Sequence, residues 1–312
     1  MIVSVCLNPS IDREQTVFSF TYGGMNRVLE TREDAGGKGV NVALVVRALG
    51  ADATLVGFAG ETGFSLAAEK LAAVGCPVDM ITIPGKVRTN LKLLDQSKNI
   101  VTEVNEPGPA VSAEHLAAME ELVKRWAKEA GTMVFTGSLP PGCPVDTYAR
   151  LMAAAKGENN AIHCVVDAEG EKLLAALGQQ PSFIKPNDFE LGMLLGQDFS
   201  TMEARLAGAR TLLDKGAQVV LVSMGPEGAM ITDGVASYYA PAIPVAVKST
   251  VGAGDAMVAA YCVAQERGLP LKERFVHAVA GGTAAIMTPG TLLVQLADYE
   301  SLLPQVQVSE IG

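Results

Sequence analysis

The sequence predicts an α/β fold in which a parallel sheet is buried between two layers of helices. Short β-branched runs alternate with segments of helical period, the runs are apolar almost throughout, and the helical segments stop at glycine. A strand apolar at every position needs cover on both faces, and parallel sheets with helical crossovers provide it. The strand-like runs are 2–7, 53–58, 133–135, 162–166 and 219–222, each too short for a helix and flanked by Gly, Pro or Asp. Helices are predicted over 40–49, 112–130 and 200–215, closed by Gly50, Gly131 and Gly216. Ser200 and Glu203 have the spacing of a capping box for the third. Residues 253–265 and 271–287 read as two Ala-rich helices that pack closely.

Two segments break this rhythm. Residues 12–32 hold short alternating pieces (14–18 and 27–31) around a Gly23-Gly24 turn, and 89–103 alternate at 91–93 and 100–104 across a turn at 96–99. Both are hairpin patterns with one apolar face, and together they fit a small separate sheet projecting from the body. Two ordinary surface hairpins are the alternative.

Composition narrows the class. With 312 residues, 49% hydrophobic and 19% charged, the chain can build one large core and is excluded from the disordered class. Only 5% of residues are aromatic, so the core must come from Ala, Val, Leu, Ile and Met. A net charge of −10 argues against a nucleic-acid partner or an anionic membrane surface, though a local basic pocket can still take a small anion. Cys6, Cys76, Cys143, Cys164 and Cys262 are scattered and never in C-x-x-C, so reduced and mostly buried thiols are expected. No run of 18 apolar residues exists, and Met1 leads straight into a strand-like run instead of a signal peptide. A soluble cytoplasmic protein is the expectation. His115, His163 and His277 have no metal-ligand spacing and read as structural or surface residues.

Five glycine- or cap-rich turns are candidates for chemistry. In 249–255, Ser249-Thr250-Val251-Gly252-Ala253-Gly254-Asp255, the glycines open a helix, so backbone N–H groups and the helix dipole can meet an anion. The dinucleotide fingerprint is excluded because its third glycine falls on Met257, and Gly37-Lys38 lacks the Ser or Thr of a Walker A loop. Asp255 beside that cradle can take a proton from a hydroxyl while phosphate oxygens are held; on spacing alone it is equally a helix-start carboxylate. Gly36-Gly37-Lys38-Gly39-Val40-Asn41 also opens a helix, with a cation and an amide suited to phosphate or polyhydroxyl groups, or else it is a loop with a solvated lysine. Gly137 and Ser138 follow a strand and lie at its carboxyl end, where open parallel sheets bind ligands. Asn187 and Glu190 sit three apart at a helix start, either ordering water around Mg²⁺ or simply capping the helix. Ser223, Gly225 and Gly228 follow another strand and can wrap nucleotide phosphate or ribose.

Taken in order, residues 8–12, 36–41, 137–140, the Lys185-Pro186-Asn187-x-x-Glu190 stretch, Ser223-x-Gly225-x-x-Gly228 and 250–255 resemble the ribokinase-like sugar kinases of the PfkB family. The resemblance spans nearly the whole chain. It implies a three-layer α/β/α body with a mostly parallel sheet (1–11, 33–87 and 105–312) and a β-sheet lid (12–32 and 88–104) that in relatives often clasps a second subunit, hence a homodimer. It further implies ATP and Mg²⁺ as cofactors and a sugar phosphate as substrate. Asp255 would be the general base and Gly252, Ala253 and Gly254 the anion hole. Asp12 and Asn41 would bind sugar hydroxyls, with Gly37, Lys38, Arg88, Asn90 and Ser138 lining the pocket and Arg27 reaching a phosphate, in its own or the neighbouring subunit. Lys185, Asn187, Ser223, Gly225, Gly228, Ser249 and Thr250 would hold the nucleotide, and Glu190, with Asn187, would order Mg²⁺ through water.

The stretch Arg88-Thr89-Asn90-Leu91-Lys92-Leu93 resembles the branch that phosphorylates fructose 1-phosphate at its 6-hydroxyl; tagatose 6-phosphate and fructose 6-phosphate are the alternative substrates. Ser249 stands where monovalent-cation-binding members often have Asp, leaving the carbonyls of Ser249, Val251, Ala285 and Gly290 for K⁺. Met25 stands where some 6-phosphate-specific members have Lys. A non-catalytic sensor would be expected to have lost the base or the glycines, and both are present. Ribose and nucleosides carry no phosphate for Lys38 and Arg88 to meet.

Overall fold

The apolar run that opens the chain forms β1 (Ile2–Cys6), buried at every position. Ile2 and Cys6 enter one core and Val3 and Val5 the other, the alternation required of a strand covered on both faces. The same split recurs at 133–135 and 164–166, where Val134 and Val165 face the first core and their neighbours the second. This computed structural model describes residues 1–289 and 294–312.

After β1 come β2 (Ser10–Val17), β3 (Val28–Gly36), α1 (Lys38–Ala48), β4 (Ala53–Thr62), α2 (Ser65–Ala73), β5 (Val78–Lys86), β6 (Arg88–Asp95) and β7 (Ile100–Asn105). The chain continues through α3 (Ala113–Ala127), β8 (Thr132–Thr136), α4 (Thr147–Glu158), β9 (His163–Asp167), α5 (Glu171–Leu177), β10 (Phe183–Ile184), α6 (Asp188–Leu195) and α7 (Met202–Asp214). It ends with β11 (Val220–Ser223), β12 (Ala229–Thr232), β13 (Ser237–Ala240), α8 (Ala253–Glu266), α9 (Leu271–Ile286), α10 (Leu296–Leu302) and β14 (Ser309–Glu310).

The main sheet is ten-stranded, in the order β14-β13-β12-β11-β10-β9-β8-β1-β4-β5. From β5 across to β11 every pairing is parallel. Beyond β11 the sheet turns antiparallel, which the alternating rhythm did not predict. The physical reason is connection length: residues 224–228 form a tight turn, and a parallel crossover needs a dozen or more residues. The predicted capping box also moves by one residue. Thr201, not Ser200, accepts from the Ala204 N–H at 3.2 Å, and α7 begins at Met202.

The two irregular segments pair into one four-stranded sheet, ordered β3-β2-β6-β7. β2 pairs antiparallel with β3 and parallel with β6, so Asp12 lies beside both Asp34 and Asn90. Asp34 anchors this sheet to the body, accepting from Lys70 of α2 and from Arg32. The sheet carries exposed apolar side chains, including Leu29, Ile100, Val101 and Val104.

Helix α8 is buried from Asp255 through Gln265. Tyr261 on it stacks on Phe183 of β10, centroids 3.7 Å apart, which fixes the helix over the sheet. All five cysteines are free thiols, and among the described residues no helix is long and apolar enough to cross a membrane.

Candidate active site

The parallel strands deliver their carboxyl ends to one edge of the sheet, and α8 begins there. Gly252 caps α8 with φ +79°, a left-handed conformation that glycine adopts without strain. Asp255 follows in the first turn and is 6% exposed. The amide of Asn41, in the first turn of α1, donates to Asp255 Oδ2 at 2.8 Å. The resemblance gives Asn41 to a sugar hydroxyl; in the structure its Nδ2 lies on the Asp255 carboxylate and orients it. Burial lifts the Asp255 carboxyl to about 6, against the opposing pull of Lys38 and the Asn41 hydrogen bond. A carboxylate with that value is ionised at neutral pH yet basic enough to accept a proton.

Two lysines flank it. Lys38 Nζ donates to Asp167 Oδ2 at 3.1 Å, and Lys185 Nζ lies 3.8 Å from Asp167 Oδ1. Burial alone would depress the Lys38 ammonium, but the carboxylates of Asp167, Asp255 and Glu190 outweigh it and raise its pKa. Burial likewise pushes the Asp167 carboxyl up, and Lys38 and Lys185 overcome this and hold it below the ordinary range. Lys185 packs so close to the glycine turn that a Cβ at Gly254 would lie 2.9 Å from its Nζ. Asp167 was missed from sequence. Its signal was legible: it is a charged residue closing the buried strand β9 at the ligand-binding edge.

On the four-stranded sheet, Asp12 of β2 accepts from the Ser10 hydroxyl (2.9 Å), the Asn90 amide (3.1 Å) and the Lys92 ammonium (3.3 Å). Ser10 and Lys92 lie inside the stretches 8–12 and 88–93 on which the resemblance rests, but are given no role there. Arg88 donates to the carbonyls of Asn8 (3.3 Å) and Glu106 (3.4 Å), and among the described residues no carboxylate pairs with it. The Asn8 side-chain amide in turn donates to Ser138 Oγ at 3.2 Å, so Asn8 links Arg88, through its backbone carbonyl, to Ser138. Tyr148 donates to the carbonyls of Thr136 and Gly137 and holds that turn in place. Gly37 caps α1 beneath this group. Arg27 is exposed just before β3.

At the start of α6, Asn187 and Glu190 cap the helix reciprocally: Glu190 N–H donates to Asn187 Oδ1 (2.7 Å) and Asn187 N–H to Glu190 Oε2 (2.8 Å). Asn187 also bridges to Ser223, whose N–H donates to the Pro186 carbonyl at 3.1 Å. Gly225 and Gly228 turn the chain back after β11. Ser249 Oγ accepts from the Val251 N–H at 3.2 Å, and the Ala253 N–H donates to the Thr250 carbonyl at 3.4 Å. The Ala285 carbonyl, named for K⁺, accepts from Thr288, and Gly290 lies outside the described residues. For a divalent metal, the donors here are hard oxygens of Asn187 and Glu190, a set that suits a Mg²⁺ retaining most of its waters.

The chain is similar along its length to known proteins. The model of the pfkB family of carbohydrate kinases matches residues 3–296. The 1-phosphofructokinase of Rhodobacter capsulatus is 38% identical over 288 residues, covering 91% of this chain and 90% of that enzyme. The 1-phosphofructokinase of Bacillus subtilis (strain 168) is 32% identical over the full length of both. Phosphofructokinase-2 of Escherichia coli, solved in complex with substrates and products, superposes with a TM-score of 0.90 at 30% identity, covering 98% of this chain and 99% of that one. The same enzyme solved in complex with potassium gives 0.89 at 31% identity, covering 97% and 98%. Fold and site together define an ATP-dependent sugar kinase. The chain belongs to the pfkB family of carbohydrate kinases.

Proposed function

We propose that this enzyme transfers the γ-phosphoryl group of ATP to the 6-hydroxyl of fructose 1-phosphate, giving fructose 1,6-bisphosphate. The observation that carries the phosphorylated substrate is Arg88, a partly buried guanidinium held by carbonyls alone and so unneutralised for a sugar phosphate. Two 1-phosphofructokinases among the relatives support the choice of ketose.

In this reading ATP lies across the Lys185, Ser223 and Ser249-Thr250 turns, and Ser223, Gly225 and Gly228 line its phosphates and ribose. Mg²⁺, when bound, neutralises the triphosphate; Glu190 and Asn187 would hold it through water. The sugar lies between the four-stranded sheet, acting as a lid, and the turn at 36–41. Arg88, Lys38 and Ser138 hold its phosphate, with Arg27 approaching from the lid's far end or from a partner. Asp12 accepts from ring hydroxyls, and Asn90 keeps that carboxylate aimed. Asp255 takes the 6-hydroxyl proton as the oxygen bonds to the γ-phosphorus and the bond to ADP breaks. The N–H groups of Gly252, Ala253 and Gly254 and the Lys185 ammonium meet the charge on the transferring oxygens. Lid closure excludes water and limits ATP hydrolysis. The exposed apolar residues of the lid support a homodimer clasped through this sheet, and the free thiols support a reducing, cytoplasmic setting.

The test is ADP release over a panel of fructose 1-phosphate, fructose 6-phosphate, tagatose 6-phosphate, ribose and adenosine. The highest kcat/KM is expected for fructose 1-phosphate. A preference for ribose or adenosine, or ADP release indifferent to sugar, would sink the assignment.

A further inference from the structure

One cation of the lid sheet has no part in the chemistry above. Lys92 lies on β6, two residues after Asn90 and on the same face, and its ammonium stands 3.3 Å from Asp12 Oδ2. Both side chains are only 12% exposed. Among the described residues Asp12 is its one ion-pair partner, although Glu14 and Glu103 stand opposite it on β2 and β7. Burying an ammonium and ordering its long stem is unfavourable unless its donors are met.

The ammonium has three donor directions, and Asp12 takes one. The Asp12 carboxylate is already gripped at Oδ1 by Ser10 and Asn90, which leaves Oδ2 as the oxygen able to turn to a ligand. The pair overhangs the glycine turn of the sugar site: a Cβ at Gly36 would lie 2.2 Å from Asp12 Oδ1. A charged acceptor and a charged donor are thus pinned side by side on one face of the lid, beside the glycine turn that leads into Lys38 and Asn41 of α1.

We propose that Lys92 is a specificity-determining residue of the sugar site, forming with Asp12 a donor–acceptor pair that reads two vicinal ring hydroxyls of the ketose. One hydroxyl donates to the carboxylate and its neighbour accepts from the ammonium. Inverting one of the two carbons moves one oxygen to the other face of the ring and leaves a charged group unmet, which is strongly unfavourable in a closed cleft. The pair therefore separates fructose phosphates from their C4 epimers, the tagatose phosphates, a choice that phosphate contacts at Arg88 cannot make. This inference rests on the sugar-phosphate reading of the site.

The experiment measures ADP-release kinetics of wild type, Lys92→Met, Lys92→Gln and Lys92→Arg on the 1- and 6-phosphates of fructose and of tagatose, with the KM for ATP and Tm alongside. Whichever ketose phosphate the wild type prefers is compared with its own C4 epimer. A preference other than fructose 1-phosphate therefore overturns the functional reading and leaves the Lys92 comparison intact. Lys92→Met is expected to raise the KM for the preferred sugar phosphate about tenfold to a hundredfold. The epimer ratio in kcat/KM should shrink by a similar factor at unchanged KM for ATP. Lys92→Arg should restore part of the ratio, and Lys92→Gln, which keeps a donor toward Asp12 should Met not fold, should fall between. An unchanged sugar KM, an equal loss on both epimers, or a wild type indifferent to the epimers would overturn the inference.

Discussion

Replacing Asp255 with Asn separates stability from catalysis at one atom. The buried Asp255 carboxyl is lifted from an ordinary 3.8 to about 6. A carboxyl raised in the folded state binds its proton more tightly there than in the unfolded chain. Its contribution is therefore fully present below pH 3.8 and lost as pH rises through about 6. At pH 8 the ionised group should cost the fold on the order of 3 kcal/mol, at 1.36 kcal/mol per pH unit. Asn can still accept from the Asn41 amide and carries no charge, so Asp255→Asn should raise Tm at pH 8 and change it far less near pH 4. Turnover should fall about a thousandfold, the typical worth of a positioned general base. Wild-type kcat/KM should drop tenfold per pH unit below about pH 6, because the base must be ionised, and the Asn variant should lack that limb. Denaturant melts at both pH values and a coupled ADP assay read all three effects. A variant with lower Tm at pH 8 and near wild-type turnover would refute the assignment of Asp255 as a desolvated base.

Arg88→Ala should raise the KM for sugar phosphates about tenfold or more while leaving that for ATP in place, because the guanidinium is free of carboxylates; equal changes in both would move the phosphate contact elsewhere. Asp167→Ala leaves Lys38 and Lys185 facing each other without their shared carboxylate, and loss of one partner of a buried ion pair costs roughly 3–5 kcal/mol. Both a lower Tm and a higher KM for ATP are expected in that variant, and calorimetry with unchanged Tm would contradict the arrangement. Glu190→Gln keeps an oxygen for the Asn187 N–H, so Tm should hold while the Mg²⁺ concentration for half-maximal rate rises. A Mg²⁺ titration identical to wild type would remove Glu190 from the metal.

The amino-acid order alone determined the parallel α/β body, the Ala-rich pair of helices and the glycine turns with Asp255. Each of these is written in a local period, a cap or a short motif. It also marked two segments that did not belong to the rhythm. What it left open were contacts between residues far apart in the chain. Asp167 meets Lys38 across 129 positions, and Lys92 meets Asp12 across 80, and both depend on strand register and side-chain direction, which no local pattern encodes. The antiparallel edge beyond β11 was hidden for a related reason, since a short apolar strand reads alike whichever way its neighbour runs. Tertiary structure also brought together motif residues far apart in the chain: Asn41 turns its amide onto Asp255 because α1 and α8 start side by side at the sheet edge.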